Sequence, residues 1–227
     1  MTAPPRRAVV TGASSGIGAA IAERLLADGW QVTGLSRSEP ALTGRGLRWA
    51  EADLTDPASV RAALGGAGAD ALVHAAGLLR VAPLGQLDEA EGAAMWRVHV
   101  QAAERLADLL LPAMPRGGRV VLVGSRTATG AAGRSQYAAS KAALVGLARS
   151  WAIELASRGI TVNIVAPAAT ETPMLHDPAR SGVAPRVPPI GRFIRPEEVA
   201  AAVAFLLSEE AGAITGQQIT ICGGSSL

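Results

Sequence analysis

An α/β fold with one doubly wound parallel sheet, covered by helices on both faces, is what this sequence predicts. Three observations carry it. Short apolar runs alternate with helical stretches nearly from end to end, and such alternation builds parallel sheets from strand–helix–strand units. The runs span four or five residues with few polar positions, as strands buried on both faces require. No internal repeat, linker or low-complexity tract interrupts the 227 residues, so a single domain, 1–227, is expected.

The elements follow in order. Ala8 to Thr11 reads as a strand and Gly18 to Asp28 as a helix. Gln31 to Leu35 is the second strand, and Leu47 to Ala50 a third, followed by a helix near Pro57 to Leu64. Ala71 to His74, Arg119 to Gly124 and Thr161 to Val165 are further strands. Helices fit Glu89 to Leu110, Ser135 to Ser157 and Pro196 to Leu207, and Gln218 to Ile221 is a last strand. The Pro-rich stretch Thr172 to Pro189 reads as a mobile loop, with a substrate loop at about 173–192.

Composition excludes several classes. Apolar residues make up 49% and aromatics 3%, so the core is built from Ala, Val, Leu and Ile. Cys222 is the one cysteine, so no internal disulfide forms, which fits a reducing compartment. Met1 to Arg7 leaves no room for a secretory leader ahead of the first strand. No apolar run reaches the roughly 20 residues of a membrane span. A cytoplasmic protein without a membrane partner is expected. The net charge is +2 and the arginines are scattered, which argues for a solvated surface and against nucleic acid.

One pair of residues stands apart. Of 21 basic residues 20 are arginine; Lys141 is the sole lysine and Tyr137 the sole tyrosine. Four residues apart, they share a helix face. An amine is a compact charge with three donors, which a guanidinium does not replace.

A second feature is the turn Thr11-Gly12-Ala13-Ser14-Ser15-Gly16-Ile17-Gly18, between the first strand and a helix. Such glycines allow backbone to approach a pyrophosphate, and the helix N-terminus adds oriented N–H groups. A Rossmann-like dinucleotide site is expected here.

The turn resembles the T-G-x-x-x-G-I-G of the short-chain dehydrogenase/reductase family, and further matches follow in order. His74-Ala75-Ala76-Gly77 resembles the family's N-N-A-G segment. Gly124-Ser125 ends a strand where the family carries its catalytic serine. Tyr137-Ala138-Ala139-Ser140-Lys141 matches Y-x-A-S-K. Thr161-Val162-Asn163 and Pro167 to Met174 resemble the segment beside the nicotinamide. Arg195-Pro196-Glu197-Glu198-Val199 and Gly223-Gly224 match the C-terminal signatures. The resemblance spans practically the whole chain and points to the compact single-domain type, similar to 3-oxoacyl-carrier-protein reductases and alcohol or diol dehydrogenases.

The resemblance implies an oxidoreductase that moves a hydride between a nicotinamide and a carbonyl or secondary alcohol. A phenol ordinarily loses its proton near pH 10, and a neighbouring ammonium favours the phenolate. Tyr137 is thus the expected general acid or base, tuned by Lys141, which also holds the nicotinamide ribose. Ser125 would hydrogen-bond the substrate oxygen. The Ser125–Tyr137 step is one residue short of the family's, a deletion placed in Arg126 to Arg134. Besides the turn residues Thr11, Gly12, Ser14, Ser15, Gly16, Ile17 and Gly18, the expected cofactor contacts are Asp53 and Leu54 on the adenine side, Ala75, Ala76 and Gly77, then Pro167, Ala168, Thr170 and Thr172 by the carboxamide. The second strand ends Leu35-Ser36-Arg37-Ser38, with no acid; Arg37 and the neighbouring hydroxyls suit the 2′-phosphate of NADP(H), with NAD(H) left open.

Three departures from the family are visible. His74 and Ala75 stand where asparagines often sit, and Ala168 where glycine follows the proline. His99 takes the place of the asparagine that completes the catalytic set, fifteen residues before Met114. Three readings of His99 stay open: a backbone relay that survives the change, a new proton donor, or lost activity. A non-catalytic NADP-binding sensor on the same fold is the alternative to an enzyme. Helices near Glu89 to Leu110 and Ser135 to Ser157 resemble the family's dimerising pair. A homodimer or homotetramer is expected, with the stripe Ala142, Val145, Ala148 and Ala152 as its motive; the alternative is that this stripe packs on the sheet.

Overall fold

The computed structural model describes residues 4–66, 68–177 and 185–227. Seven strands form one sheet: β1 (Arg7–Thr11), β2 (Gln31–Ser36), β3 (Leu47–Glu51), β4 (Ala71–His74), β5 (Arg119–Val123), β6 (Thr161–Pro167) and β7 (Gln218–Ile221). Their spatial order is β3-β2-β1-β4-β5-β6-β7, and every pairing is parallel. The expected α/β fold is present. Chain direction across the sheet reverses at β1, whose two neighbours are β2 and β4. A crevice therefore opens beyond the carboxyl ends of β1 and β4, where open α/β sheets bind ligands.

The helices are α1 (Gly16–Ala27), α2 (Pro57–Leu64), α3 (Glu89–Trp96), α4 (Ala102–Leu110), α5 (Ser135–Leu155) and α6 (Pro196–Leu207). Two apolar clusters sandwich the sheet. One joins Val9, Leu72 and Val120 to α2, α4 and α5. The other joins Val10, Val73 and Val121 to α1 and α6. Because alternate strand residues point to opposite faces, Val9 and Val10 serve different clusters.

Local chemistry sets the ends. Asp56 accepts from the Ala58 N–H at 2.9 Å, Pro57 takes the first helical position, and Gly65 closes α2 at φ 55°, a left-handed conformation that costs glycine little. Asp88 caps α3 through the Ala90 and Glu91 amides. The observed α6 and β7 match the expected bounds; α1 begins two residues early, at Gly16.

One long helix over Glu89 to Leu110 was expected, but Arg97–Gln101 forms a π-helical turn between α3 and α4. The Ala102 N–H reaches back five residues to the Arg97 carbonyl, so one residue is inserted into the helical ladder there. The Ala142 to Ala152 stripe also differs from expectation. Ala148 and Ala152 are buried against the sheet, with Val145 packed beside them; only Ala142 of the four is exposed. The solvent face of α5 instead presents Ile153. Of the substrate loop, residues 178–184 lie outside the described residues; Pro173–His176 forms a 3₁₀ turn.

Candidate active site

At the crevice, β1 runs through the Gly-rich turn into α1. Gly18 is dictated by contact: a Cβ there would lie 2.2 Å from the Gly12 carbonyl oxygen, closer than atoms can pack. Ser15 precedes α1 without capping it, unlike Asp56 and Asp88. Among the described residues the first N–H groups of α1 thus keep no side-chain partner, and they suit an external anion. Gly12, Ser14 to Gly18, Arg37, Asp53, Leu54 and Ala75 to Gly77 line one cavity of about 500 Å³. Ser125, Tyr137, Lys141, Pro167, Ala168, Thr170 and Thr172 line a second of about 630 Å³. The two share Ile17, Ala75, Gly77, Leu78, Thr172 and Met174, so they form one cleft from the end of β2 to the start of α5. Its shape and the uncapped helix fit an extended dinucleotide.

Thr11 and His74 hold the middle of this cleft. The Thr11 hydroxyl accepts from the amides of Ala75 (3.1 Å) and Ala76 (3.0 Å) and donates to His74 Nδ1 at 3.0 Å. His74 Nε2–H donates to the Val98 carbonyl at 3.0 Å. This places the His74 proton on Nε2 and ties β1, β4 and the π-turn together. Burial, then the Lys141 charge, lowers His74 from 6.5 to about 4, so it is neutral at pH 7.

His99 sits in the π-turn, fully buried. Its Nε2 accepts from the Leu78 N–H at 3.1 Å, so the proton is on Nδ1 and goes to Ser140 Oγ at 2.9 Å. The Ser140 hydroxyl in turn donates to the Tyr137 carbonyl at 2.8 Å. The His99 ring stands edge-on to the Tyr137 ring, centroids 5.5 Å apart. Burial, with Lys141 and His74 as further causes, holds His99 well below its ordinary value. Gly77 leaves room for this arrangement: a Cβ there would meet His99 Nε2 at 3.1 Å and Lys141 Nζ at 3.6 Å.

Lys141 donates from Nζ to the Val123 carbonyl at 2.8 Å. Burial lowers it from 10.5 to about 7. The Ser125 hydroxyl accepts from the Thr127 N–H at 3.1 Å, which leaves its own hydrogen to donate. Both line the Tyr137 cavity.

The ordered set of motifs thus converges on one cleft, and residues 12–226 match the family described as enoyl-(acyl carrier protein) reductase. The chain belongs to the short-chain dehydrogenase/reductase family. It is 41% identical to the 3-oxoacyl-[acyl-carrier-protein] reductases of Salmonella typhimurium and Escherichia coli, over 96% of this chain and 96% of each relative. Among solved structures it resembles a blue fluorescent protein from a metagenomic library in complex with NADPH (34% identity, TM-score 0.89, 98% of both chains). It also resembles the Thermoplasma acidophilum aldohexose dehydrogenase (30% identity, TM-score 0.90, 98% of this chain and 94% of the other). As a short-chain dehydrogenase/reductase it is an oxidoreductase of C=O and CH–OH groups.

Several residues of the segments expected to meet the cofactor hold hydrogen bonds within the chain. Asn163, read as part of the nicotinamide segment, instead bonds the Ile214 carbonyl and the Gln217 amide and anchors the approach to β7. The Ser36 hydroxyl, one of those assigned to a phosphate, donates to the Ser38 carbonyl at 2.8 Å and accepts from Trp49 Nε1 at 3.2 Å; its hydrogen is already used. Arg37 stays on the cleft wall beside Asp53. Asp53 is held low chiefly by the Thr55 amide and hydroxyl, each at 2.8 Å. Thr170 and Thr172 turn their hydroxyls to the Ala168 and Thr170 carbonyls. Ser140 and the Leu78 amide went unnoticed at the sequence level. Ser140 lay inside the matched Y-x-A-S-K motif, whereas nothing local marks an amide that an imidazole 21 residues away will occupy.

Proposed function

We propose that the protein is an NADP(H)-dependent reductase of carbonyl compounds, able to oxidise the corresponding secondary alcohols, with Tyr137 as its proton donor. The observation that carries it is the single cavity shared by Ser125, Tyr137 and Lys141, continuous with the Gly-rich cleft. NADPH, when bound, supplies the hydride. The Ser125 hydroxyl donates to the substrate oxygen and polarises the carbonyl. Tyr137 delivers a proton to that oxygen as charge develops on it. Lys141 stabilises the phenolate that remains, and its ammonium suits the ribose hydroxyls. The N-terminus of α1 takes the pyrophosphate, and Arg37 the 2′-phosphate.

His99 is a positioning residue. Both of its ring nitrogens are engaged, and it holds the backbone of Tyr137 through Ser140. The solved relative in complex with NADPH supports the choice of cofactor. The relatives named as 3-oxoacyl-carrier-protein reductases support an oxo-acyl or related 3-oxo substrate. The reading includes a cytoplasmic setting and a homodimer or homotetramer.

Steady-state turnover on an accepted carbonyl tests this. Tyr137→Phe keeps the ring and removes the donor, and should lose about 10²–10⁴ in rate. Lys141→Arg keeps a charge of the wrong shape and should also lose most activity. Both should retain wild-type circular dichroism. Near wild-type turnover by a folded Tyr137→Phe enzyme would sink the mechanism.

A further inference from the structure

We infer that Gln136 is a positioning residue: its side-chain amide, seated over Gly92 of α3, locks the first turn of α5 and with it Tyr137. The inference rests on the reductase reading, in which Tyr137 delivers the proton.

Tyr137 is the third residue of α5, which begins at Ser135. The first N–H groups of a helix lack intrahelical partners, and helix ends fray. Asp56 and Asp88 cap α2 and α3 with their side chains, whereas among the described residues no side chain caps the N-terminus of α5. The first turn of α5 is tied from neighbouring elements instead. His99 reaches the Tyr137 carbonyl through Ser140. Gln136 Nε2–H donates to the Asp88 carbonyl at 2.8 Å, 48 residues away. That carbonyl is itself fixed. It also accepts the Gly92 N–H at 3.0 Å, while the Asp88 side chain takes the Ala90 and Glu91 amides. Gln136 does not line the Tyr137 cavity, so it acts on the tyrosine through the backbone.

Gly92 shows that the Gln136 contact is built into the fold. It is the single glycine of α3, and only proline is a poorer helix former. Gly92 does not take a positive φ, so its backbone conformation does not call for glycine. The space does: a Cβ on Gly92 would overlap Gln136 Nε2 and lie 2.9 Å from its Cδ. Alanine there would evict the Gln136 amide from the Asp88 carbonyl. Proton transfer depends on the geometry of the reacting groups, and a displacement of about 1 Å can cost on the order of 10²-fold in rate. A loosened first turn would carry the phenol away from Ser125 and from Lys141, one turn further along α5.

The test compares Gln136→Ala, Gly92→Ala and the double variant with the wild type and Tyr137→Phe, using acetoacetyl-coenzyme A and NADPH. Each of the two single changes should lower kcat about 3- to 30-fold and leave KM within about twofold. The double variant should lose no more than Gln136→Ala, because the methyl at position 92 then has no amide to displace. Gly92→Ala should melt near the wild type, since the helical preference of alanine offsets the lost hydrogen bond. Tyr137 is the sole tyrosine, so protein labelled with ring-¹³C tyrosine reports that ring alone by NMR, without turnover. Both single variants should move its signals toward those of free tyrosine, away from the edge-on contact with His99. Wild-type ring signals or wild-type kcat in Gln136→Ala, a loss confined to KM, or additive losses in the double variant each overturn the inference while the reductase reading stands. Near wild-type turnover by folded Tyr137→Phe, or no reduction by the wild type, sinks the reductase reading. The ring signals then decide the positioning alone: movement in both single variants, with no further movement in the double, supports it, and any other pattern overturns it.

Discussion

His74 and His99 bury two imidazoles within one network, and their neutral state has a consequence for acid stability. The groups facing His74 are the Thr11 hydroxyl, the Val98 and His99 carbonyls and the Lys141 charge. Its folded value of about 4 lies below the ordinary 6.5. Between those limits the unfolded chain binds the proton first. The contribution is therefore complete above pH 6.5 and is lost as pH falls toward 4. For His74 the loss is about 3 kcal/mol, and His99 acts in the same direction. Urea midpoints at about pH 7 and pH 4.5 check this: His74→Asn should flatten the drop seen in the wild type. An identical drop in the variant would remove His74 from the account. At the far end of the cleft, Arg37→Asp should shift the ratio of NADPH to NADH affinity by at least about tenfold toward NADH. Wild-type binding of NADH as tight as NADPH would contradict the role given to Arg37.

At the scale of elements, the turn between β1 and α1 and the π-turn between α3 and α4 place the chemistry. Gly18→Ala puts a methyl against the Gly12 carbonyl, so the turn must open. We expect a loss of about 1–3 kcal/mol in stability and a larger loss of dinucleotide affinity, read by fluorescence titration. Wild-type affinity in Gly18→Ala would mean that the turn does not hold the pyrophosphate. The glycine was legible because such a turn has one use for it. The π-turn was not, because Glu89 to Leu110 carries residues compatible with a regular helix throughout. The inserted residue is stabilised from outside that segment, by His74 on the Val98 carbonyl and by Leu78 and Ser140 on the His99 ring.

For the whole molecule, the proposed assembly is tested on the face of α3 to α5 turned away from the sheet. It exposes Trp96 on α3 and Ile153 on α5, and the buried Ala148 and Ala152 belong to the core instead. Light scattering at micromolar concentration should return a mass of two or four chains; a value near 23.0 kDa would refute assembly. Ile153→Arg should shift that mass downward without changing circular dichroism, because its side chain meets solvent in the isolated chain. No described helix is long and apolar enough to cross a membrane.

By itself the sequence determined the alternation of strands and helices, the Gly-rich turn, and the Tyr137–Lys141 pair. Each is written in neighbouring residues: period, turn chemistry and a four-residue spacing need no knowledge of the rest of the chain. Tertiary structure alone decided which way His99 faces, that Ser36 and Asn163 are consumed by structural bonds, and that Arg126, Arg134 and Arg186 meet in one cavity. Those facts depend on groups brought together from separate strands and loops, across separations such as the 63 residues between Thr11 and His74. A hydrogen bond or a shared cavity exists only when the sheet has set the distance, and local pattern carries no record of it.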